Sequence, residues 1–336
     1  MDKASEVLQK IYEDFSRSAS IKRKMPISRV TSVLEPVSGQ RPGLQTLGDD
    51  AAPLPYGEGY LLLAADGISP ALFSDPFWAG YCSVLVNVND IYAMGGRPLA
   101  MVDVISAPEG DLLDELVKGI KYGCEKFGVP MVGGHLHPGE TCPSLIVSIM
   151  GEARVLVTSF CAREGDSLVL AVDLEGCWHD PFPHWDSTSG QQEREVRAKL
   201  ALLPGLAERG LLRAGKDVSN PGILGTAGML LESSEVGAVI SLEDMPRPAG
   251  VALPAWLKAY PGFGFLLSVA PGDAGIVLDA FQRVNVAAGV IGEITGDRRL
   301  VIEYAGSQQE LIDLSRQPIT GIEKHRQLEK GGMVWT

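Results

Sequence analysis

The stretch DPFWAGYCSVLVNVNDIYAMGG, residues 75–96, decides how the rest of the chain is read. Asp75-Pro76 is a helix-start signal, an N-cap acid with Pro at the first helical position. Gly95-Gly96 is a stop. Between them almost every residue is apolar, so the pattern predicts a helix to Met94 that is buried nearly all round. Asn87, Asp90 and Met94 share one face by i, i+3, i+7 spacing. A buried carboxylate is costly unless it is paired or holds a metal. Asp90 is therefore a candidate metal ligand; the alternative is a satisfied core carboxylate.

Strands and helices alternate on both sides of this helix. YLLLAAD (60–66) and LAMVDVIS (99–106) read as strands, and LLDELVKGIKYGCEKF (112–127) as an amphipathic helix. VPMV (129–132) and SLIVSIMGEA (144–153) complete a first unit. Strands 60–65 and 99–105 are apolar on both faces, more than one helix layer covers. A second unit follows, with strands at 166–174, 237–241, 264–270, 287–294 and 299–304. Its helices are expected at 193–209, 222–234 and 273–283, after a loop at 176–192. Ahead of both units, Val7, Leu8, Ile11, Tyr12 and Phe15 fall at helical spacing. SRSASIKRKMPISR (16–29) then reads as polar, basic and mobile. The expected division is 1–44 for an N-terminal helix and lid, 45–157 and 158–320 for two sheet domains, and 321–336 for a frayed tail. The fold class is α+β, each sheet layered with helices.

Composition narrows the chemistry. The 336 residues carry 29 Lys plus Arg against 42 Asp plus Glu, a net charge of −13. That balance argues against nucleic acid and against an anionic membrane surface. An acidic protein that handles phosphates needs cations to bridge the like charges. The five Cys form no C-x-x-C pair and an odd count is no disulfide framework. No run approaches a membrane span, and MDKASEVLQKIYEDF lacks the apolar core of a secretory signal, so a cytoplasmic protein is expected.

Four further motifs carry polar groups. In Gly48-Asp49-Asp50-Ala51 adjacent carboxylates repel unless a cation lies between them; otherwise the motif is a turn. Asp66 stands at the carboxyl end of an apolar strand, where α/β folds place ligands. VGGHLHPGE (132–140) offers Gly133 and Gly134 for close backbone approach to a phosphate. Its His135, His137 and Glu140 also suggest a His-metal site. Asp217, in DVSNPG (217–222), precedes a helix and reads either as an anion- or metal-site residue or as an N-cap. Gly210-LLRA-Gly215-Lys216 imitates a phosphate loop, but Asp217 replaces the Ser or Thr that would bind Mg²⁺.

Taken in order, GDDAA, AADGISPALFSDPF, NVNDIYAMGGRP, VGGH and DVSNPG resemble one superfamily over about residues 45–305. It contains AIR synthase, selenophosphate synthase, thiamine-monophosphate kinase and the hydrogenase maturation factor HypE. The resemblance is nearest to uncharacterised AIR-synthase-related proteins. It implies the PurM-like fold: an N-terminal sheet that pairs across a homodimer and a C-terminal α/β sandwich. It also implies ATP and Mg²⁺ as cofactors and a small-molecule substrate. Asp49 or Asp50, Asp90 and Asp217 would be metal ligands, and Asp66 would contact metal or ATP. Gly133, Gly134 and His135 would line the phosphates, with Asn87 as polar support. Lys22, Lys24 and His135 are the candidate catalytic residues. The N-terminal basic segment has no Cys, where selenophosphate synthases carry Cys or selenocysteine. The expected activity is phosphoryl transfer to, or activation of, a small substrate. The alternatives are a non-catalytic ATP-binding regulator and a His-metal enzyme.

Overall fold

The computed structural model describes residues 3–38 and 47–322. The expected boundary at 44/45 and most of the expected tail lie outside these residues. Three helices open the chain: α1 (Lys3–Arg17), α2 (Ala19–Lys22) and α3 (Ile27–Leu34). The segment expected to be mobile is thus largely helical. Ser18 caps α2 by accepting from the Ile21 N–H at 3.3 Å, Ile21 is buried, and Ser28 N–H donates to the Thr320 carbonyl at 3.1 Å. One apolar anchor among polar neighbours leaves little periodic signal, which is why the sequence reads as a linker.

Two bodies follow. The first holds Asp50–Leu156 together with Thr188–Arg209. Its strands are β1 (Ala52–Tyr56), β2 (Gly59–Gly67), β3 (Arg97–Ala107), β4 (Met131–Pro138) and β5 (Ser144–Ala153), in the order β1-β2-β5-β3-β4. Only β3 and β4 run parallel, and β4 is an edge. Helices α4 (Pro76–Ala93) and α5 (Asp111–Phe127) cover one face. On β3, Met101, Ile105 and Ala107 point to that face and are buried, while Val102 and Val104 point the other way and are exposed. Strand alternation fixes this division. Leu63, Ile146 and Met150 join the exposed apolar face.

Asp75 caps α4 as expected, its Oδ1 accepting from the Trp78 N–H at 3.1 Å. The expected 193–209 helix is two short ones, α6 (Glu193–Leu200) and α7 (Leu202–Glu208). They stay with this body because the loop before them is tied to it. Tyr81 and Tyr122 hydroxyls donate to Thr188 Oγ1 and the Ser189 carbonyl, both at 2.8 Å, and Lys126 donates to the Gln191 carbonyl.

The second body contains the N-terminal helices, Val157–Ser187 and the chain from Gly210 onward. Its main sheet has seven strands: β6 (Ser167–Val172), β9 (Ala214–Asp217), β10 (Gly237–Ser241), β12 (Gly264–Val269), β13 (Ala287–Thr295), β14 (Arg299–Tyr304) and β15 (Ser307–Asp313). The order is β15-β14-β10-β13-β6-β12-β9. Helices α8 (Gly222–Ser234) and α10 (Ala274–Gln282) pack on it, with a short α9 (Leu253–Trp256) beside α8. The expected loop at 176–192 contains two short strands, β7 (Cys177–Trp178) and β8 (His184–Asp186), which pair with each other, and β8 also pairs with β11 (Tyr260–Pro261). Leu8, Ile11, Phe15 and Ile21 enter the same core as Leu168, Leu224 and Leu266. The N-terminal helices therefore complete this sandwich. Among the described residues, no helix is long and apolar enough to cross a membrane.

Candidate metal and nucleotide site

The first body brings together Asp50 and Asp90. Carboxylate oxygens of the two lie within 4.8 Å of each other. Asp90 is in the last turn of α4 and is half-buried, less enclosed than an apolar helix suggested, because the helix ends at Met94 four residues on. Two carboxylates at this separation repel, and a hard cation accepting oxygen donors removes the repulsion. The donor set is oxygen only and suits a hard cation such as Mg²⁺, Mn²⁺ or Ca²⁺. Asn87, one turn earlier, is fully buried and donates its amide to the Ser83 carbonyl at 2.8 Å. It supports the helix from within the core. Asp66 is exposed at the end of β2, its Oδ1 accepting from the Gly67 N–H at 3.0 Å.

Asp49 is held differently from its neighbour. Its Oδ2 accepts from the Ser159 N–H at 2.9 Å, within the second body. The adjacent carboxylates of GDDA thus have separate surroundings. Asp217 ends β9 and is 5% exposed. It is not an N-cap; Pro221 occupies that place ahead of α8. Lys216 is buried within β9, so the phosphate-loop look-alike ends in a strand. Lys22 is exposed at the end of α2, and Lys24 is half-buried in the following turn.

Gly133, Gly134 and His135 lie on β4, at the open edge of the sheet. They border a hollow of about 770 Å³ between β4 and the first turns of α5. Leu113, Val117, Ile105 and Met131 supply its apolar walls. Asp103 of β3 stands at its floor. Sequence reading passed over Asp103, although a lone acid on the inward register of an apolar strand is a visible signal. A Cβ at position 134 would meet Asp103 Oδ1 at 1.8 Å, so the carboxylate fills the space that glycine leaves. Burial pushes the Asp103 carboxyl above the usual range. His135 and His137 are exposed, with ring centroids 4.6 Å apart. Among the described residues they and Glu140 form no set of three close ligand atoms. The three residues of the expected His-metal alternative are thus not gathered into one donor set.

The description "AIR synthase related protein, N-terminal domain" matches residues 48–153, and its C-terminal counterpart matches 165–305. The chain belongs to the AIR synthase related protein family. An uncharacterized protein of Synechocystis is 43% identical, over 82% of this chain and 86% of its own. A phosphoribosylformylglycinamidine synthase subunit PurL of Methanosarcina mazei is 25% identical, over 77% of this chain and 40% of its own. Among solved structures, Thermotoga maritima PurL complexed with ATP matches with a TM-score of 0.72 at 17% identity, over 97% of this chain. This chain spans 57% of that one. A ThiL complexed with AMPPCP and TMP matches with a TM-score of 0.63 at 20% identity, covering 84% of this chain and 95% of its own. The architecture is therefore the two-domain PurM-like fold of the AIR synthase related family.

Proposed function

We propose that this protein is an ATP- and Mg²⁺-dependent enzyme that phosphorylates or activates a small molecule, working as a homodimer. The observation that carries the reading is the Asp50–Asp90 carboxylate pair, within one cation's reach. It lies on the same body as a glycine-bordered hollow of about 770 Å³. Cavities of that size suit a nucleotide. The family likeness supports the reading, since the matched PurL and ThiL structures are complexes with ATP and AMPPCP. Asp50 and Asp90 would hold Mg²⁺, which neutralises the phosphate charge and polarises the transferred group. Asp217 joins the ligand set on its DVSNPG motif, and Asp66 and Asp49 stand as outer candidates on theirs.

The protein's own residues bind and orient. Gly133 and Gly134 border the hollow that takes the nucleotide at the β4 edge. His135 follows them as a donor. Lys22 and Lys24 are the proposed positive charges that assist transfer, as their place in the basic segment suggests. The exposed apolar sheet face is the proposed dimer surface. The direct experiment is ADP formation by purified protein with Mg²⁺, ATP and pooled small metabolites. Metabolite-dependent ADP supports an enzyme. Tight Mg-ATP binding with no turnover against any pool would favour an ATP-binding regulator instead.

A further inference from the structure

Asp103 has no part in the metal pair, yet it is placed like a recognition group. Along β3 the inward register runs Met101, Asp103, Ile105, Ala107, so one acid interrupts an apolar row beneath the helices. In the ladder it pairs with Gly134 on one side and Val147 on the other. Its carboxylate lies against the Gly134 α-carbon, where only glycine leaves room. The hollow opens above it, with aliphatic walls on α5 and open space over Gly133 of β4.

This combination selects a class of ligand. Aliphatic walls beside the open Gly133 fit a flat ring, which needs contact on both faces and no bulk at its edge. A carboxylate at the floor is acceptor-only when ionised, so it takes a ligand that ends in N–H donors. A metal is a poorer match: among the described residues Asp103 joins no set of three close ligand atoms. The ammonium of Lys118, also at the rim, is paired with Glu115 at 2.7 Å and leaves Asp103 free of that charge. The raised carboxyl points the same way, because a carboxylate short of solvent gains most from a new donor.

We infer that Asp103 is a specificity-determining residue, whose carboxylate accepts the exocyclic amino group of the nucleotide's purine ring in this hollow. The inference rests on the nucleotide reading proposed above. A hydrogen bond to a charged group in a partly closed site is worth roughly 10- to 100-fold in affinity.

The test is calorimetric titration with Mg-ATP and with the Mg complex of purine riboside triphosphate, which keeps the ring and lacks the amino group. The wild type should bind ATP at least about 10-fold more tightly. Asp103→Ala should bring the two ligands within about 3-fold of each other by weakening ATP alone. Asp103→Asn keeps an acceptor oxygen and should retain most of the preference, which guards against a folding defect in the Ala variant. An Ala variant that discriminates like the wild type, or a wild type that does not discriminate, overturns the assignment. If the wild type binds neither triphosphate, the nucleotide reading itself falls and takes this assignment with it.

Discussion

Glu232 shows how much one side chain can organise. It is 2% exposed, on α8, and accepts four hydrogen bonds: from the N–H groups of Ile319, Thr320 and Gly321 and from the Thr320 hydroxyl, at 2.7–3.0 Å. Charge-assisted bonds of this kind replace the water a buried carboxylate loses. Glu232→Ala leaves three backbone donors facing a void and should cost roughly 3 kcal/mol or more in urea unfolding, far above a surface Glu→Ala control. His184 makes a different prediction. Burial lowers its pKa from 6.5 to about 4, with His179 acting in the same direction. The unfolded chain therefore binds a proton that the folded chain refuses. The stability this withholds is present above pH 6.5 and is lost as pH falls toward 4. His184→Gln should flatten that stretch of the stability curve, by at most roughly 3 kcal/mol. An unchanged slope between pH 7 and 4.5 would contradict the assignment. At this scale the motifs were legible: GDDA, NVND and VGGH each drew attention to residues that border the metal pair or the hollow. Asp103 was visible as a lone acid on its strand register, whereas the separate fates of Asp49 and Asp50 depend on partners distant in sequence.

The helix pair α4 and α5 sets the position of Asp90. The two approach so closely that a Cβ at Gly119 would meet the Phe77 carbonyl oxygen at 2.0 Å, and one at Gly80 the Leu116 carbonyl oxygen at 2.1 Å. Gly123 faces Val84 one turn along. Backbone atoms cannot yield as a flexible side chain can, so Gly119→Ala should push the helices apart and cost about 2–3 kcal/mol. Metal affinity should fall with it, because the last turn of α4 carries Asp90. A melting temperature within a degree of wild type would show that the contact is looser than described. Long apolar or amphipathic elements were readable from pattern alone; α4, α5, α8 and the central strands stand where periodicity put them. Among the elements missed are β1, β9 and β15, which are short, polar or interrupted by Pro. Their pairing depends on strands remote in sequence, a term that local periodicity does not contain.

For the whole molecule, the exposed apolar face of the first sheet is the feature that needs a partner. Leu63, Val102, Val104, Ile146 and Met150 are each more than a third exposed on one continuous face. Proposed pairing of that face with a second copy predicts a particle near twice 35.9 kDa by light scattering. Val104→Glu should convert it to monomers by placing a charge within the buried patch. A wild type that stays monomeric at micromolar concentration would remove the dimer from the account. Sequence indicated this surface through strands apolar on both faces, whereas the allocation of residues 188–209 to the first body needed the Tyr81, Tyr122 and Lys126 tethers. The central claim is that paired carboxylates let an acidic protein hold a nucleotide through a cation. Calorimetric titration of ATP with and without Mg²⁺, into wild type and Asp90→Asn, tests it most directly. The account predicts Mg²⁺-dependent binding in the wild type and at least about 10-fold weaker binding in the variant, with its thermal stability retained. Equal affinity in the two proteins, or ATP binding indifferent to Mg²⁺, would contradict it.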